Sequence, residues 1–288
     1  HVRSRRQRQM CIRDSFLEGK GQKVVGTYNT HPLQDQEGLR FISLDIFKDP
    51  VRKLEQINFK PDFIVNTLAL TDVDECEKRP DLAHKLNCES VCEALKLCAQ
   101  FNHTKLIQIS TDQVHNGTRG AFKEDDPVSP VNIYGKTKIA GEQLALESNR
   151  SLVCRSNFYG PGLAWRSSFS DWIISNLKQK NELTLFTDSI FNPLEVKHLS
   201  NAIFELATGG HHGLFHTCGK DYLSKYDFAI KLAQHLDLDT KLIKPTLLKD
   251  KRLLAPRPLN MTLDIHKLEK ALDRNIEGVQ EGIQSLIT

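Results

Sequence analysis

The sequence predicts an α/β protein: a doubly wound parallel sheet followed by a smaller α/β region. Three observations carry this. Short apolar, β-branched runs alternate with helical patterns over the first half of the chain. Those runs are near-continuously apolar, as strands covered on both faces are. After about residue 160 the rhythm loosens. In chain order, residues 22–28 read as a first short strand and 41–44 as a second, with a helical turn or two over 51–57. Pro61 and Asp62 introduce a strand over 63–66. Leu82, Leu86, Val91, Leu95 and Leu97 recur at helical spacing, which predicts one long helix from Pro80 to Phe101. Residues 105–110 form the next strand, 134–147 a helix and 152–154 another strand. Beyond 160, residues 169–177, 198–207 and 226–236 read as helices and 183–186 and 213–216 as strands. Two short helices, 266–272 and 280–286, close the chain.

Composition bounds the function. With 288 residues, 39% of them hydrophobic, the chain buries a substantial core and is no disulfide mini-protein, disordered tail or fibre. No apolar run approaches the ~20 residues of a membrane span. The net charge of +3 is misleading. Arg5 to Asp14 back-translate to a stretch resembling a transposon adapter used in sequencing libraries, so residues 1–14 read as a non-native tail. That tail holds five arginines against one aspartate, so the remainder carries −1, and the case for nucleic-acid binding goes with it. Seven cysteines without a CxxC pair read as reduced thiols of a cytoplasmic protein. Cys88 and Cys92, and His211, His212 and His216, are weighed as metal ligands and set aside; no metal is expected.

The chemistry gathers around Tyr134 and Lys138. Four residues apart on a helix, they share one face, and an ammonium near a phenol favours phenolate. A tyrosine tuned this way passes a proton near neutral pH. A hydroxyl at the carboxyl end of a neighbouring parallel strand would complete a site, and Ser110 and Thr111 stand where such a strand ends.

Several segments together resemble one family. They are NTLALTDVDECE (Asn66 to Glu77), STDQVHNG (Ser110 to Gly117), PVNIYGKTK (Pro130 to Lys138) and APRPLNMTL (Ala255 to Leu263). The resemblance is to the extended short-chain dehydrogenase/reductases, in the dTDP-4-dehydrorhamnose reductase branch, and it runs from about residue 16 to the end. It implies a Rossmann-type sheet and NAD(P)H-dependent reduction of a 4-keto nucleotide sugar. It makes Thr111, Tyr134 and Lys138 the catalytic residues: Tyr134 gives the proton, Lys138 tunes it and holds the nicotinamide ribose, and Thr111 binds the ketone oxygen. Asp45 and Ile46 then lie beside the adenine, and Thr67, Leu68 and Ala69 along the phosphates and ribose. Ser110, Gln113, His115 and Arg257 fall to the substrate. The division implied is 15–160 for cofactor binding and 161–288 mainly for substrate, with a homodimer left open and neither nucleic acid nor membrane as partner.

Three departures qualify these expectations. The family opens on a strand and a GxxGxxG loop, and nothing here supplies either, so the cofactor region reads as incomplete and the chain as truncated and inactive. Gln113 and His115 stand where the family has aromatics, which turns attention to a different sugar. Residues 26–31 lack the acid that binds an NAD ribose and offer no arginine for a 2′-phosphate, which inclines the cofactor to NADPH without excluding NADH. Two other readings compete. One is a nucleotide-sugar epimerase or dehydratase, although Gln113 cannot act as the base a dehydratase needs. The other is a non-catalytic regulatory subunit like that of methionine adenosyltransferase.

Overall fold

The computed structural model describes residues 23–35, 39–162 and 167–286. The basic tail and the position expected for a first strand and glycine loop lie outside them. Strands β1 (Val24–Tyr28) and β2 (Leu39–Ser43) pair in parallel, and Leu44 N closes on Tyr28 O at 2.8 Å. Helix α1 (Pro50–Gln56) leads to β3 (Phe63–Asn66). Two short helices follow, α2 (Val73–Lys78) and α3 (Pro80–His84). A π-turn over Lys85–Glu89 joins α3 to α4 (Ser90–Ala99). Strand β4 (Lys105–Thr111) ends in a 3-10 turn, Asp112–Val114; α5 (Ile133–Leu146) and β5 (Leu152–Ser156) come next.

The second half holds β6 (Phe158–Tyr159), α6 (Phe169–Lys178), β7 (Leu183–Phe186), β8 (Ile190–Phe191), β9 (Leu194–Glu195) and α7 (Val196–Thr208). After them come β10 (Gly213–His216), β11 (Leu223–Ser224), α8 (Lys225–His235), β12 (Ile243–Thr246), α9 (His266–Leu272) and α10 (Val279–Ser285).

The main sheet runs β10-β5-β4-β3, all parallel, and β1-β2 forms a separate parallel pair. Among the described residues, no ladder joins β1 to β3. Side chains alternate across the main sheet as the pleat requires. Leu106 and Val153 face Val91 and Ala94 of α4 and Ala145 of α5. Ile107, Ile109 and Cys154 face the other way, against Leu199, Ile203 and Leu206 of α7 and Leu268 of α9. Both faces are covered, which is why these strands read as unbroken apolar runs.

A boundary near residue 160 runs through a shared core. Strand β10 joins the main sheet beside β5, and α7 and α9 cover that sheet's second face. A second core lies within the carboxyl half, where α6, α8 and α10 pack on β7 and β12 around Phe191 and Phe228. Two departures from the expected elements stand out. The single helix expected over 80–101 carries a π-turn, and α2 was not foreseen. At six residues α2 is too short to show periodicity; it is set by Asp72, whose carboxylate caps Glu75 N at 2.9 Å.

Candidate active site

The site forms where β3 and β4 end and α5 begins. Asn132 caps α5, accepting from Gly135 N at 2.8 Å while its own amide donates to Pro256 O at 3.0 Å. Gly135 lies so close to the Gln113 carbonyl that a β-carbon there would collide with it. A glycine after Tyr134 is what lets the first turn of α5 sit against the turn following β4. Tyr134 and Lys138 lie on α5 and Thr111 closes β4, and all three are buried. The Lys138 ammonium donates to Ile109 O on β4 at 2.6 Å. Burial pushes Lys138 down to about 8, with the Glu142 carboxylate opposing the shift, so the ammonium is still charged at neutral pH. The Thr111 hydroxyl donates to Asp112 Oδ1 at 3.1 Å and accepts from Gln113 N at 3.2 Å.

Other expected residues are placed differently. Ser110 and Thr111 are neighbours on a strand and so point to opposite faces. Ser110 turns inward and donates to Glu142 rather than standing open to a ligand. Glu142 also takes a two-pronged contact from Arg155, with Nη2 at 2.8 Å and Nε at 3.1 Å, deep in the core. His115 is likewise internal, at 1% exposure. Its ring stacks on Phe122 with centroids 4.1 Å apart, filling the space an aromatic side chain would take, and so does not line the sugar side. Gln113 stays at the edge, accepting from Asn132 Nδ2 at 3.3 Å.

Thr67 and Leu68 are exposed just beyond β3, with Ala69 partly covered. Asp45 follows β2, its carboxylate accepting from Phe47 N at 3.1 Å and meeting Lys48 at 3.4 Å, while Ile46 packs into the core beside Ile64. Arg257 is 23% exposed and already engaged, with Nη2 on Asp74 at 3.0 Å and Nη1 on Ala255 O at 2.9 Å.

Two groups escaped the sequence reading. Asn87, in the π-turn, accepts from Leu70 N at 2.7 Å and donates to Leu70 O at 3.2 Å and Thr137 Oγ1 at 2.9 Å. It ties the loop after β3 to the helix that carries Tyr134 and Lys138. Its signal was an amide at an apolar-spaced stretch of helix. The second is the buried pair of Asp112 and Asn157, on which the Lys225 charge acts. Asp112 is buried and accepts from Asn157 Nδ2 at 2.5 Å. Burial raises Asp112 above the usual carboxylate range, although Lys225 and its hydrogen bonds pull the other way. Lys225 opens α8, its ammonium 3.2 Å from the centroid of the Phe191 ring and 5.1 Å from that of Phe169. Sequence distance hid this group, because 113 residues separate Asp112 from Lys225 (225 − 112).

A parallel sheet covered on both faces, with Thr111 at a strand end and Tyr134 and Lys138 one turn apart on the next helix, is the Rossmann-type arrangement of the extended short-chain dehydrogenase/reductases. The model of the RmlD substrate binding domain family matches residues 20–288, and the chain belongs to that family. It is 30% identical over 263 residues to a dTDP-4-dehydrorhamnose reductase of Aggregatibacter actinomycetemcomitans, covering 86% of this chain and 88% of that protein. It is 29% identical over 240 residues to methionine adenosyltransferase 2 subunit beta of Xenopus laevis, covering 80% of this chain and 71% of that one. A crystal structure of dTDP-4-dehydrorhamnose reductase from Bacillus anthracis in complex with NADP superposes with a TM-score of 0.80 at 25% identity, covering 92% of this chain and 98% of that one. Among the described residues, no helix is long and apolar enough to cross a membrane.

Proposed function

We propose that this site serves the reduction of a 4-keto nucleotide sugar with NADPH or NADH, in a protein that also holds the glycine loop the sequence reading did not find here. What supports this reading is the buried Thr111 at the carboxyl end of β4, with the buried Tyr134 and Lys138 on the next helix and the Lys138 ammonium anchored on the β4 carbonyl of Ile109. The residues present fit the nicotinamide end of such a cofactor. Thr67 and Leu68 leave an open ledge beyond β3, and Asn87 fixes its far end through Leu70. Lys138 would hold the ribose, and a bound NAD(P)H supplies the hydride. Tyr134 gives its proton to the ketone oxygen as negative charge develops there. The Lys138 ammonium lowers the cost of the phenolate left behind, and the Ile109 carbonyl keeps that ammonium in place. Thr111 orients the ketone oxygen. Gln113 lies at the sugar edge, and Arg257 brings positive charge toward the diphosphate, tempered by its pairing with Asp74. The amide of Gln113 leaves no general base for dehydration at that position.

The test is turnover. The chain is assayed with dTDP-, UDP- and GDP-4-ketosugars, following loss of NADPH and of NADH. Tyr134→Phe is expected to lose roughly 10²–10⁴-fold in kcat with cofactor affinity nearly unchanged, since the phenol serves only proton transfer. Near wild-type turnover in that variant overturns the mechanism. Nucleotide binding without reduction of any ketosugar favours a regulatory-subunit role instead, the kind of protein that the Xenopus relative's name describes.

A further inference from the structure

We infer that Gln108 is a positioning residue for Lys138, and that it ties the Lys138 ammonium to the ledge beyond β3. The inference rests on the function proposed above, in which Lys138 tunes Tyr134 and holds the nicotinamide ribose. Gln108 is the one polar side chain between Lys105 and Ser110 on β4, and it is 2% exposed. A buried amide costs free energy unless both of its ends are bonded. Here both are. Its Oε1 accepts from Asn66 Nδ2 at 2.8 Å, and its Nε2 donates to Ile109 O at 2.8 Å. That same oxygen takes the Lys138 ammonium at 2.6 Å. The amide and the ammonium therefore lie within one hydrogen bond of a single oxygen.

The other end of this chain of bonds is the ledge. Asn66 and Gln108 stand opposite each other in register, and the β3–β4 ladder ends at that pair. Asn66 Oδ1 accepts from Leu68 N at 3.2 Å. From Leu68 to Ile109 every bond points the same way: backbone N–H to Asn66, Asn66 amide to Gln108, Gln108 amide to the Ile109 carbonyl. Amides donating in series polarise one another, so the chain acts as a unit. Gln108 reaches the Ile109 carbonyl along β4 while Lys138 reaches it from α5, so the oxygen is gripped from two elements. An apolar side chain of the same size would fill the space and make neither bond. Gln108 acts on the ammonium by fixing the oxygen on which the ammonium rests. With Asn87 holding Leu70, the ledge is fastened at both ends, and the near fastening runs to the residue that holds the ribose.

The experiment reads Lys138 without turnover. Lysines of the full chain are acetylated with limiting acetic anhydride, and their relative rates are read by mass spectrometry. Lys225, held over the Phe191 ring, is the internal reference for general loosening. Gln108→Met keeps the volume and removes both bonds. Lys138 is expected to react at least about 5-fold faster relative to Lys225, and the Leu68 amide to exchange at least ~10-fold faster relative to Val153 on β5. Gln108→His, whose ring accepts at one nitrogen and donates at the other, is expected to bring both back to within about 2-fold of the parent. Should Gln108→Met not fold, Asn66→Ala breaks the chain at its far end, and the same rise at Lys138 is expected. If Lys138 reacts no faster relative to Lys225 in the folded variants, the inference is overturned. Where the protein turns over a ketosugar, Gln108→Met lowers kcat and raises cofactor KM, with ketosugar KM unchanged. Failure of every ketosugar assay leaves the labelling readable, so the two readings fail separately.

Discussion

His115 shows what burying a single imidazole costs. It is buried against Phe122 and edge-on to His216, with ring centroids 6.5 Å apart, and neither of its ring nitrogens has a hydrogen-bond partner among the described residues. Burial pushes it down to about 4, with the Arg155 charge adding to the shift; the Pro127 carbonyl works the other way without closing a bond. His216 is pushed down to about 3 by the same two causes. Unfolded, both imidazoles take up a proton near 6.5, and folded they do so only far lower. The unfolded state therefore binds more protons in that window, and stability falls as the pH drops from about 6.5 to about 4. His115→Phe is expected to flatten this fall and to gain roughly 1–3 kcal/mol at pH 5, measured by urea unfolding at pH 7.5 and pH 5. An unchanged pH slope would show that His115 is not its source. The proposed catalytic pair, Tyr134 and Lys138, was legible because helical spacing puts the two on one face and the neighbouring motifs single that face out. His115 and Ser110 were not, because a motif gives positions along a strand and not which face each side chain takes.

At the scale of the element, the π-turn over Lys85–Glu89 is the informative departure. The widened turn brings Asn87 into reach of both Leu70 and Thr137. Gly141 of α5 lies against the Asn87 carbonyl so closely that a β-carbon would collide with it. Asn87→Ala strands the Leu70 N–H and is expected to cost roughly 1–3 kcal/mol. It should also raise KM for the nicotinamide cofactor, because the loop after β3 loses its anchor. Gly141→Ala should cost about 1–3 kcal/mol by overpacking, seen as a lower Tm. Cofactor KM unchanged in Asn87→Ala would show that the loop holds its shape without this contact. The helix itself was legible from Leu82, Leu86, Val91, Leu95 and Leu97. The π-turn was not, since one extra residue in a turn leaves the apolar spacing on either side intact. Strands β3, β4 and β10 were legible almost to the residue, because burial on both faces leaves an unbroken apolar run between polar ends.

On the scale of the whole molecule, the sheet is unevenly secured. Strand β4 is paired on both sides and buried from Leu106 to Thr111, whereas β1 is paired only with β2 among the described residues and buries Gly26 alone. Hydrogen exchange should show it: amides of β1 are expected to exchange at least ~10-fold faster than those of β4 and β5. Equal protection would mean that β1 opens only with the global unfolding. The carboxyl-terminal segment does the opposite and binds distant parts together. Ala255 N and Arg257 reach Asp74, Pro256 O takes Asn132, Asn260 N meets Gly117 O and Ala121 N meets Thr262 Oγ1. Leu259 and Met261 bond Ile190 in the carboxyl half. These contacts close loops of up to 183 residues. On the ribosome they are therefore among the last to form. Thr111, Tyr134 and Lys138 emerge early, but the Asn132 cap beside them waits for Pro256. A nascent chain must carry its chemistry unfastened until the segment around Pro256 has been made.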